Sequence, residues 1–191
     1  MIDRIKSIAT ALMLGPLLAC GAALGANLES YFGTYVGVAT VEGDETRKPE
    51  QRDIDIVITP YKKKGFQIQW TTVSRVDGRR DVPGVKRRVN KVLFVPGENK
   101  CCYVQIGEYN PFREREALRP MLGEPVRWAL LDKNGLQIYS FAVLEDGRYE
   151  LQAYNRRPTA EGIDLLYERI EDGVVKRRIT GHTVRTADTP R

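Results

Sequence analysis

Few side chains in this sequence have the type and spacing that catalysis requires. His182 is the single histidine among 191 residues, and no serine is paired with it by a motif such as Gly-x-Ser-x-Gly. Asp53 and Asp55 share a strand face, as do Asp164 and Glu168. On an alternating strand such pairs more often mark the solvated face than an acid–base site. The sequence therefore favours binding over catalysis, and we assign no catalytic residue.

The three cysteines give no metal or redox motif. No Cys-x-x-Cys spacing is present, and no zinc-type spacing either. Cys101 and Cys102 are adjacent in a predicted strand, so their side chains face opposite ways, which suits a vicinal disulfide poorly. We expect one buried thiol, one thiol near the surface, and no metal site.

Positive charge is concentrated in one segment. Residues 61–91 carry ten basic and two acidic residues, a net charge of +8, whereas the whole chain has a net charge of +5. Such a field attracts anions and weakens with salt. The predicted anion-binding residues are Lys62, Lys63, Lys64, Arg79, Arg80, Lys86, Arg87 and Arg88. A solvated loop that protects a sheet edge is the alternative.

The first 26 residues have the pattern of an export signal. Arg4 and Lys6 precede an apolar stretch over 8–19, shorter than the roughly 20 residues of a membrane-spanning helix. One cleavage site follows Ala23-Leu24-Gly25. The other uses Leu17-Leu18-Ala19-Cys20-Gly21, which resembles a bacterial lipobox and would make Cys20 the lipidated first residue. Both predict a periplasmic or outer-membrane-anchored protein with no transmembrane span in its mature chain.

Export narrows the choice of anionic partner for the basic segment. Outside the cytoplasm the available anions are phospholipid headgroups, lipopolysaccharide phosphates and small anionic ligands. We do not expect nucleic acid, because the export signal removes the chain from it and few aromatic residues are interleaved with the basic ones.

After residue 26 the sequence has the pattern of successive β-hairpins. Asn134-Gly135, Asp146-Gly147 and Asp172-Gly173 are strong hairpin-turn signals between period-two segments. Ten strands are predicted, over residues 31–42, 54–58, 66–72, 85–95, 101–106, 126–131, 136–144, 148–155, 163–170 and 174–184. One short helix is predicted over 111–122, within a long connection bracketed by prolines.

Ten antiparallel strands leave two exposed edges unless the sheet closes on itself. We therefore predict an all-β fold, an antiparallel up-and-down barrel of about 8–10 strands, with a two-sheet sandwich as the alternative. The predicted organisation is a signal peptide over 1–26, or a lipoprotein signal ending before Cys20, one barrel domain over 27–185, and a flexible tail over 186–191.

The segment Phe32-Gly33-Thr34-Tyr35 resembles the Gly-x-aromatic opening of calycins, the superfamily of lipocalins and fatty-acid-binding proteins. Those families usually place Trp where this chain has Tyr35, and a basic residue from a late strand packs over that aromatic ring. The resemblance implies that Arg177 or Arg178 has this role here, through a cation–π contact. It also implies a barrel that binds a small ligand.

Aromatic side chains are the candidates for lining such a barrel. The predicted ligand-binding residues are Tyr35, Trp70, Phe94, Trp128 and Tyr139. We expect no cofactor. The position of His182 is similar to that of the lone histidine near the chain end in heme-binding barrels of the nitrobindin type, so heme is the alternative cofactor.

The sequence supports three functions to different degrees. The first is an exported, lipocalin-like barrel that binds a small hydrophobic or amphipathic ligand. The alternative is an envelope-associated module that docks on anionic lipid or lipopolysaccharide through the basic 61–91 segment. An enzyme is least supported, and it would require a cavity with His182 beside a carboxylate.

Overall fold

A computed structural model describes residues 27–43, 49–98, 102–107 and 118–187. The predicted export signal, including Cys20, and most of the helix predicted over 111–122 lie outside the described residues. The strands are β1 (Gly33–Gly43), β2 (Glu50–Tyr61), β3 (Gly65–Ser74), β4 (Arg87–Pro96), β5 (Cys102–Ile106), β6 (Val126–Asp132), β7 (Gly135–Val143), β8 (Tyr149–Pro158), β9 (Gly162–Glu171) and β10 (Val174–Ala187). Short 3-10 turns lie over Leu28–Tyr31 and Pro120–Leu122.

The ten strands form one closed antiparallel barrel. Each strand pairs with its neighbours in the chain, and β1 pairs with β10 to close the sheet. The predicted all-β, up-and-down barrel is confirmed, and the sandwich alternative is wrong because no edge separates two sheets. The three Gly-containing hairpin signals all fall at turns, where Gly147 and Gly173 adopt φ values of 83° and 81°.

Antiparallel pairing gives the barrel two different ends. We call the closed end the one that holds the turns after β2, β4, β6 and β8 together with the first 3-10 turn. We call the open end the opposite one, which holds the connections after β1, β3, β5, β7 and β9. Ten-residue β3 runs from the closed end to the open end, a distance of about 30 Å at the rise of a β-strand.

Aromatic side chains fill the closed end. Phe66 stacks on Phe94 with ring centroids 5.0 Å apart, and Tyr103 meets Phe66 edge-on at 5.3 Å. Phe66 and Phe94 have no solvent exposure, and the 3-10 turn places Leu28 and Tyr31 over the same end. This packing seals the barrel, since large buried aromatics supply most of the apolar area in a small core.

A basic residue does pack over Tyr35, but it is Arg185. Its guanidinium lies 5.2 Å from the centre of the Tyr35 ring and donates a 2.7 Å hydrogen bond to the Tyr35 hydroxyl. It also donates to the carbonyl of Ser30. The Tyr35 hydroxyl in turn donates to the carbonyl of Tyr31 at 2.9 Å. This cluster joins the first turn of the chain to its last strand.

The prediction of Arg177 or Arg178 for this role is wrong because of strand register. Tyr35 lies near the start of β1, and in an antiparallel pair it therefore meets the end of β10, at Arg185. Arg177 and Arg178 pair with Gly43 and Glu42 at the open end. The resemblance implied a contact of the correct chemistry, and the register decides which arginine makes it.

The last strand extends into the segment that the sequence assigned to the tail. β10 continues through Ala187, so Thr186 and Ala187, which the sequence assigned to the tail, belong to the sheet; the Thr186 hydroxyl donates to the carbonyl of Thr34 at 3.3 Å. Cys102 is half-buried with an unbridged thiol. Within the described ranges, no helix is long and apolar enough to cross a membrane.

Close strand packing gives a stability prediction at Gly162. A Cβ atom there would lie 1.9 Å from the carbonyl oxygen of Thr183, whereas a Cβ atom at Gly107 would meet none of the described atoms within 4 Å. Gly162→Ala should lower the free energy of unfolding by at least about 2 kcal/mol, because the backbone must move to admit the methyl group. Gly107→Ala is the control and should change it by less than about 0.5 kcal/mol. Urea denaturation measures both, and equal effects would contradict the register.

Candidate ligand-binding cavity

An inner cavity of about 130 Å³ lies between the sealed end and the open end of the barrel. β1–β4 and β8–β10 supply its walls. The lining residues are Ala39, Arg52, Ile54, Ile56, Trp70, Thr72, Arg88, Asn90, Tyr154, Asn155, Arg156, Leu165, Leu166, Tyr167, Arg177 and Ile179. Most of the wall is apolar or aromatic, which is usual for a small-molecule site.

The cavity exists because two neighbouring strands present small residues to the interior. Ala39 of β1 pairs with Gly181 of β10, and a Cβ atom at Gly181 would lie 2.8 Å from that of Ala39. The inward positions of β2, by contrast, carry Ile54, Ile56 and Ile58. Large residues on one wall face small residues on another, so the middle of the barrel is incompletely filled.

Arg156 of β8 is a charged side chain buried inside this cavity. Only 3% of the residue is exposed. Its guanidinium carbon lies 5.5 Å from the centres of both the Trp70 ring and the Tyr154 ring. Two of its nitrogens, Nε and Nη1, are buried and have no hydrogen-bond partner among the described residues. The guanidinium therefore has two cation–π contacts and unused donors.

Burial of this charge is energetically costly. It lowers the pKa of Arg156 to about 10, and the nearby Tyr154 opposes that shift only partly. The guanidinium is still protonated at neutral pH. Buried donors without acceptors are rare in native proteins and destabilise them by about 1–3 kcal/mol each. An anionic group in the cavity would compensate the charge and accept a charge-assisted hydrogen bond from the guanidinium.

Three aromatic rings form the wall beside Arg156. Tyr154 lies 5.2 Å from Trp70 and 4.7 Å from Tyr167, measured between ring centres. Burial raises the pKa of Tyr154 to about 12 and also raises that of Tyr167. Both hydroxyls are thus neutral at physiological pH, so this wall offers flat apolar surface and no negative charge that could neutralise Arg156.

A second, outer cavity of about 410 Å³ continues from the inner one to the open end. We call it the vestibule. Arg52, Thr72, Arg88 and Arg177 line both cavities. The other vestibule residues are Glu50, Ser74, Arg75, Val76, Gly84 and Lys86. Five basic side chains and one carboxylate therefore surround the entrance, and a ligand that enters the barrel from the open end passes through a positive field.

The five aromatic residues predicted to bind ligand lie in three different places. Trp70 lines the inner cavity, whereas Tyr35 and Phe94 are part of the packing that seals the closed end. Trp128 and Tyr139 stack on each other at 5.3 Å on the outer surface. Their neighbours Ala129 and Ile138 are fully buried and occupy the inward positions, which by alternation turns the two large rings outward.

The predicted anion-binding residues are divided between the two ends of the barrel. Lys62, Lys63 and Lys64 form the β2–β3 turn at the closed end, whereas Arg79, Arg80, Lys86, Arg87 and Arg88 lie at the open end. The sequence does not reveal this separation, because β3 lies between the two groups of residues and runs from one end of the barrel to the other. The basic segment is therefore two surfaces, and its Lys86 and Arg88 line the vestibule.

Some of the open-end charges are already paired. Arg79 contacts Asp81 at 3.1 Å, and Arg80 contacts Asp53 at 2.8 Å. Arg75 also pairs with Asp53. The exposed Arg79–Asp81 pair is worth about 0–1 kcal/mol, whereas the side chains of the Arg75–Asp53 pair are mostly buried. The two pairs with Asp53 hold the loop after β3 against β2.

His182 lies on the outer face of the barrel. Its Nδ1 atom is 2.7 Å from a carboxylate oxygen of Asp164, and both side chains are about half exposed. The histidine thus has a carboxylate beside it, but it is not among the residues that line the inner cavity. Among the described residues there is also no group of three or more His, Cys, Asp or Glu side chains placed to hold a metal ion.

Sequence reasoning missed Arg156. The residue belongs to an alternating segment in which Gln152, Tyr154 and Arg156 share one face and Leu151 and Ala153 share the other. Polarity alone assigns the first face to solvent, whereas the structure turns it inward. The available signal was the aromatic-x-arginine pair on that face, and it becomes informative only when the direction of the face is known.

Comparisons with known proteins give a fold and no family. No known family profile matches the sequence, and no curated protein matches it significantly. Among solved structures, the S-type phycobiliprotein lyase CPES from Guillardia theta is similar, with a TM-score of 0.50 and 10% sequence identity over 85% of this chain and 91% of that chain. That protein has a lipocalin-like, or calycin-like, fold. At this identity the similarity shows the fold alone, which is that of a closed antiparallel β-barrel.

The unsatisfied charge in the cavity leads to a stability prediction for the ligand-free protein. Arg156→Met should raise its free energy of unfolding by about 1–3 kcal/mol, because the change removes a buried, uncompensated charge and keeps most of the volume. Arg157→Met alters the neighbouring outward, exposed side chain and should change it by less than about 0.5 kcal/mol. Thermal and urea denaturation measure both variants. A destabilised Arg156→Met protein would show that the guanidinium supports the fold.

Proposed function

We propose that this barrel binds a small amphipathic ligand that carries an acid group. The acid group accepts hydrogen bonds from Arg156, and the apolar part packs on Trp70, Tyr154 and the aliphatic wall. The observation that carries the proposal is the buried guanidinium with two unpaired nitrogens in a cavity of otherwise apolar and aromatic character. A calycin-like barrel, a fold that can enclose one small ligand, is consistent with it.

The chemistry of the site supports an acid in preference to a neutral ligand. Hydrogen bonds to a charged group contribute about 1.5–3 kcal/mol, more than those between neutral groups. A neutral alcohol would satisfy the donors but leave the charge uncompensated in an apolar cavity. An acid compensates the charge and accepts a hydrogen bond from the guanidinium, so affinity should depend on ionisation of the ligand.

The site of action belongs to the proposal as well. The basic and apolar pattern of the first 26 residues supports delivery of the barrel across a membrane, to the periplasm or to the outer membrane through a lipid on Cys20. In that compartment a barrel with an internal site for an acid group would carry or sequester an amphiphile that is poorly soluble in water.

Ligand binding can be tested with a matched pair of amphiphiles. Isothermal titration calorimetry at pH 7.5 should show decanoate binding to the delipidated protein at least tenfold more tightly than decanol. Arg156→Gln should weaken decanoate binding by about 10–100-fold, the value of one charge-assisted hydrogen bond, and should affect decanol little. Trp128→Phe, on the outer face, is the control and should leave both affinities unchanged. If decanoate binds equally well to the Arg156→Gln variant, the acid site lies elsewhere.

A second candidate function, docking of the open end on anionic lipid, has its own support. Met121 and Leu122 are 77% and 73% exposed, and Leu118 is also exposed. These apolar side chains lie on the connection that leads into β6 at the open end, where the basic residues of the loop after β3 also lie. Basic residues and exposed apolar residues at one end of a barrel suit the interface of an anionic membrane.

The division of the basic segment gives this second function a built-in control. Met121→Ser with Leu122→Ser, combined with Arg79→Gln and Arg80→Gln, should reduce binding to phosphatidylglycerol vesicles at least fivefold in a flotation assay, since apolar contact and charge both contribute. Replacing Lys62, Lys63 and Lys64 with Gln removes a similar charge from the closed end and should have a much smaller effect. Equal losses in the two variants would reject docking through the open end.

A further inference from the structure

We propose that the vestibule is a second anion site, and that the ligand is an elongated amphiphile with an acid group at each end. This inference deepens the proposed function and rests on it: one acid group lies at Arg156, and the other lies between Lys86 and Arg88. The apolar part of the ligand spans the aromatic wall between them.

The first support is the continuity of the two cavities. Arg52, Thr72, Arg88 and Arg177 line both of them, so the inner cavity and the vestibule adjoin at these four residues. The inner cavity, at about 130 Å³, lies below the 300–1,000 Å³ that is usual for ligand pockets. A ligand anchored at Arg156 would therefore extend into the vestibule.

The second support is that the inward side chains of several strands change from apolar to basic at a similar height along the barrel axis. On β2 the inward series Ile56, Ile54 gives way to Arg52, and on β10 Ile179 gives way to Arg177. Thr72 of β3, one inward position beyond Trp70, pairs with Arg88 of β4. A ligand that lies along the barrel axis would pass from an apolar region into a basic one.

Charge in the vestibule is incompletely neutralised. Its one lining carboxylate, Glu50, is engaged by Arg52 through two hydrogen bonds of 3.0 and 3.2 Å. Lys86 and Arg88 form no ion pair with any carboxylate in the part of the chain that the structure describes, and both are reached by solvent. The charge of Arg88 is felt inside the barrel, since it lowers the pKa of Tyr167 against the larger effect of burial. A concave surface of this kind concentrates positive potential.

Strand geometry sets the spacing of the two acid groups. Arg156 stacks at the level of Trp70, and the vestibule residues of the same strand, Thr72 and Ser74, lie two and four residues further along. At the rise of a β-strand these positions are about 7–13 Å from Trp70. The two acid groups should therefore be separated by roughly 10 Å, a distance that suits a medium-chain diacid.

The test compares decanoate with decanedioate, which differ only in the second acid group. Calorimetry on the full mature chain at low ionic strength should show the diacid binding about tenfold more tightly, the value of one charge-assisted contact. Lys86→Gln with Arg88→Gln should reduce this advantage, measured as the ratio of the two affinities in the same variant, to less than about threefold. Lys91→Gln with Lys133→Gln removes two exposed charges outside the vestibule and should keep the advantage. Thermal unfolding verifies that both double variants are folded.

The outcomes distinguish this inference from the function on which it rests. If decanoate binds through Arg156 but decanedioate binds no more tightly, the vestibule site is rejected and the proposed function stands. An advantage that persists in the Lys86→Gln, Arg88→Gln variant also rejects the vestibule site. If the wild-type protein binds neither acid, both proposals fail. A diacid advantage that decreases with added salt, and only in proteins that retain Lys86 and Arg88, supports the inference.

Discussion

Closure of the sheet imposes the constraint on which the other features depend. When β1 pairs with β10, every second residue of each strand must face an interior that water reaches only from one end. An inward position is then favourable for an apolar residue and costly for a charged one. Arg156 occupies such a position without an acceptor for two of its nitrogens. It differs from the other inward arginines Arg52, Arg88 and Arg177, which also line the vestibule, because it lines the inner cavity alone.

The two ends of the barrel differ in packing and in charge. Phe66, Phe94 and Tyr103 pack at the closed end together with the 3-10 turn over Leu28–Tyr31. Most of the buried aromatic rings among the described residues therefore lie at this end. Small residues at Ala39 and Gly181 leave the middle underfilled, and basic residues surround the entrance. A fold with a well-packed end can tolerate an unfavourable charge elsewhere, because the net stability of a domain is a sum over all of its parts.

The fold was predictable because its signals are local. Period-two segments and the Gly-containing turns after Asn134, Asp146 and Asp172 specify hairpins, and consecutive hairpins specify a meander that must close. The site was less predictable, because its residues depend on register and on the direction of each face. Trp128 and Ala129 illustrate this: the larger, more aromatic residue was the natural candidate for the interior, yet the smaller one is inside. Arg185 instead of Arg177 shows the same dependence on long-range pairing.

The cluster around Arg185 has a consequence for the order in which the molecule is made. It connects the carbonyl of Ser30 and the ring of Tyr35, which leave the ribosome early, with a strand that leaves it last. Such pairing between distant parts of a chain slows folding. Until β10 has been synthesised, β1 keeps an unpaired edge and the barrel cannot close. The interior is therefore enclosed only after nine other strands have been made, and a chain shortened before β10 would expose its apolar inner face.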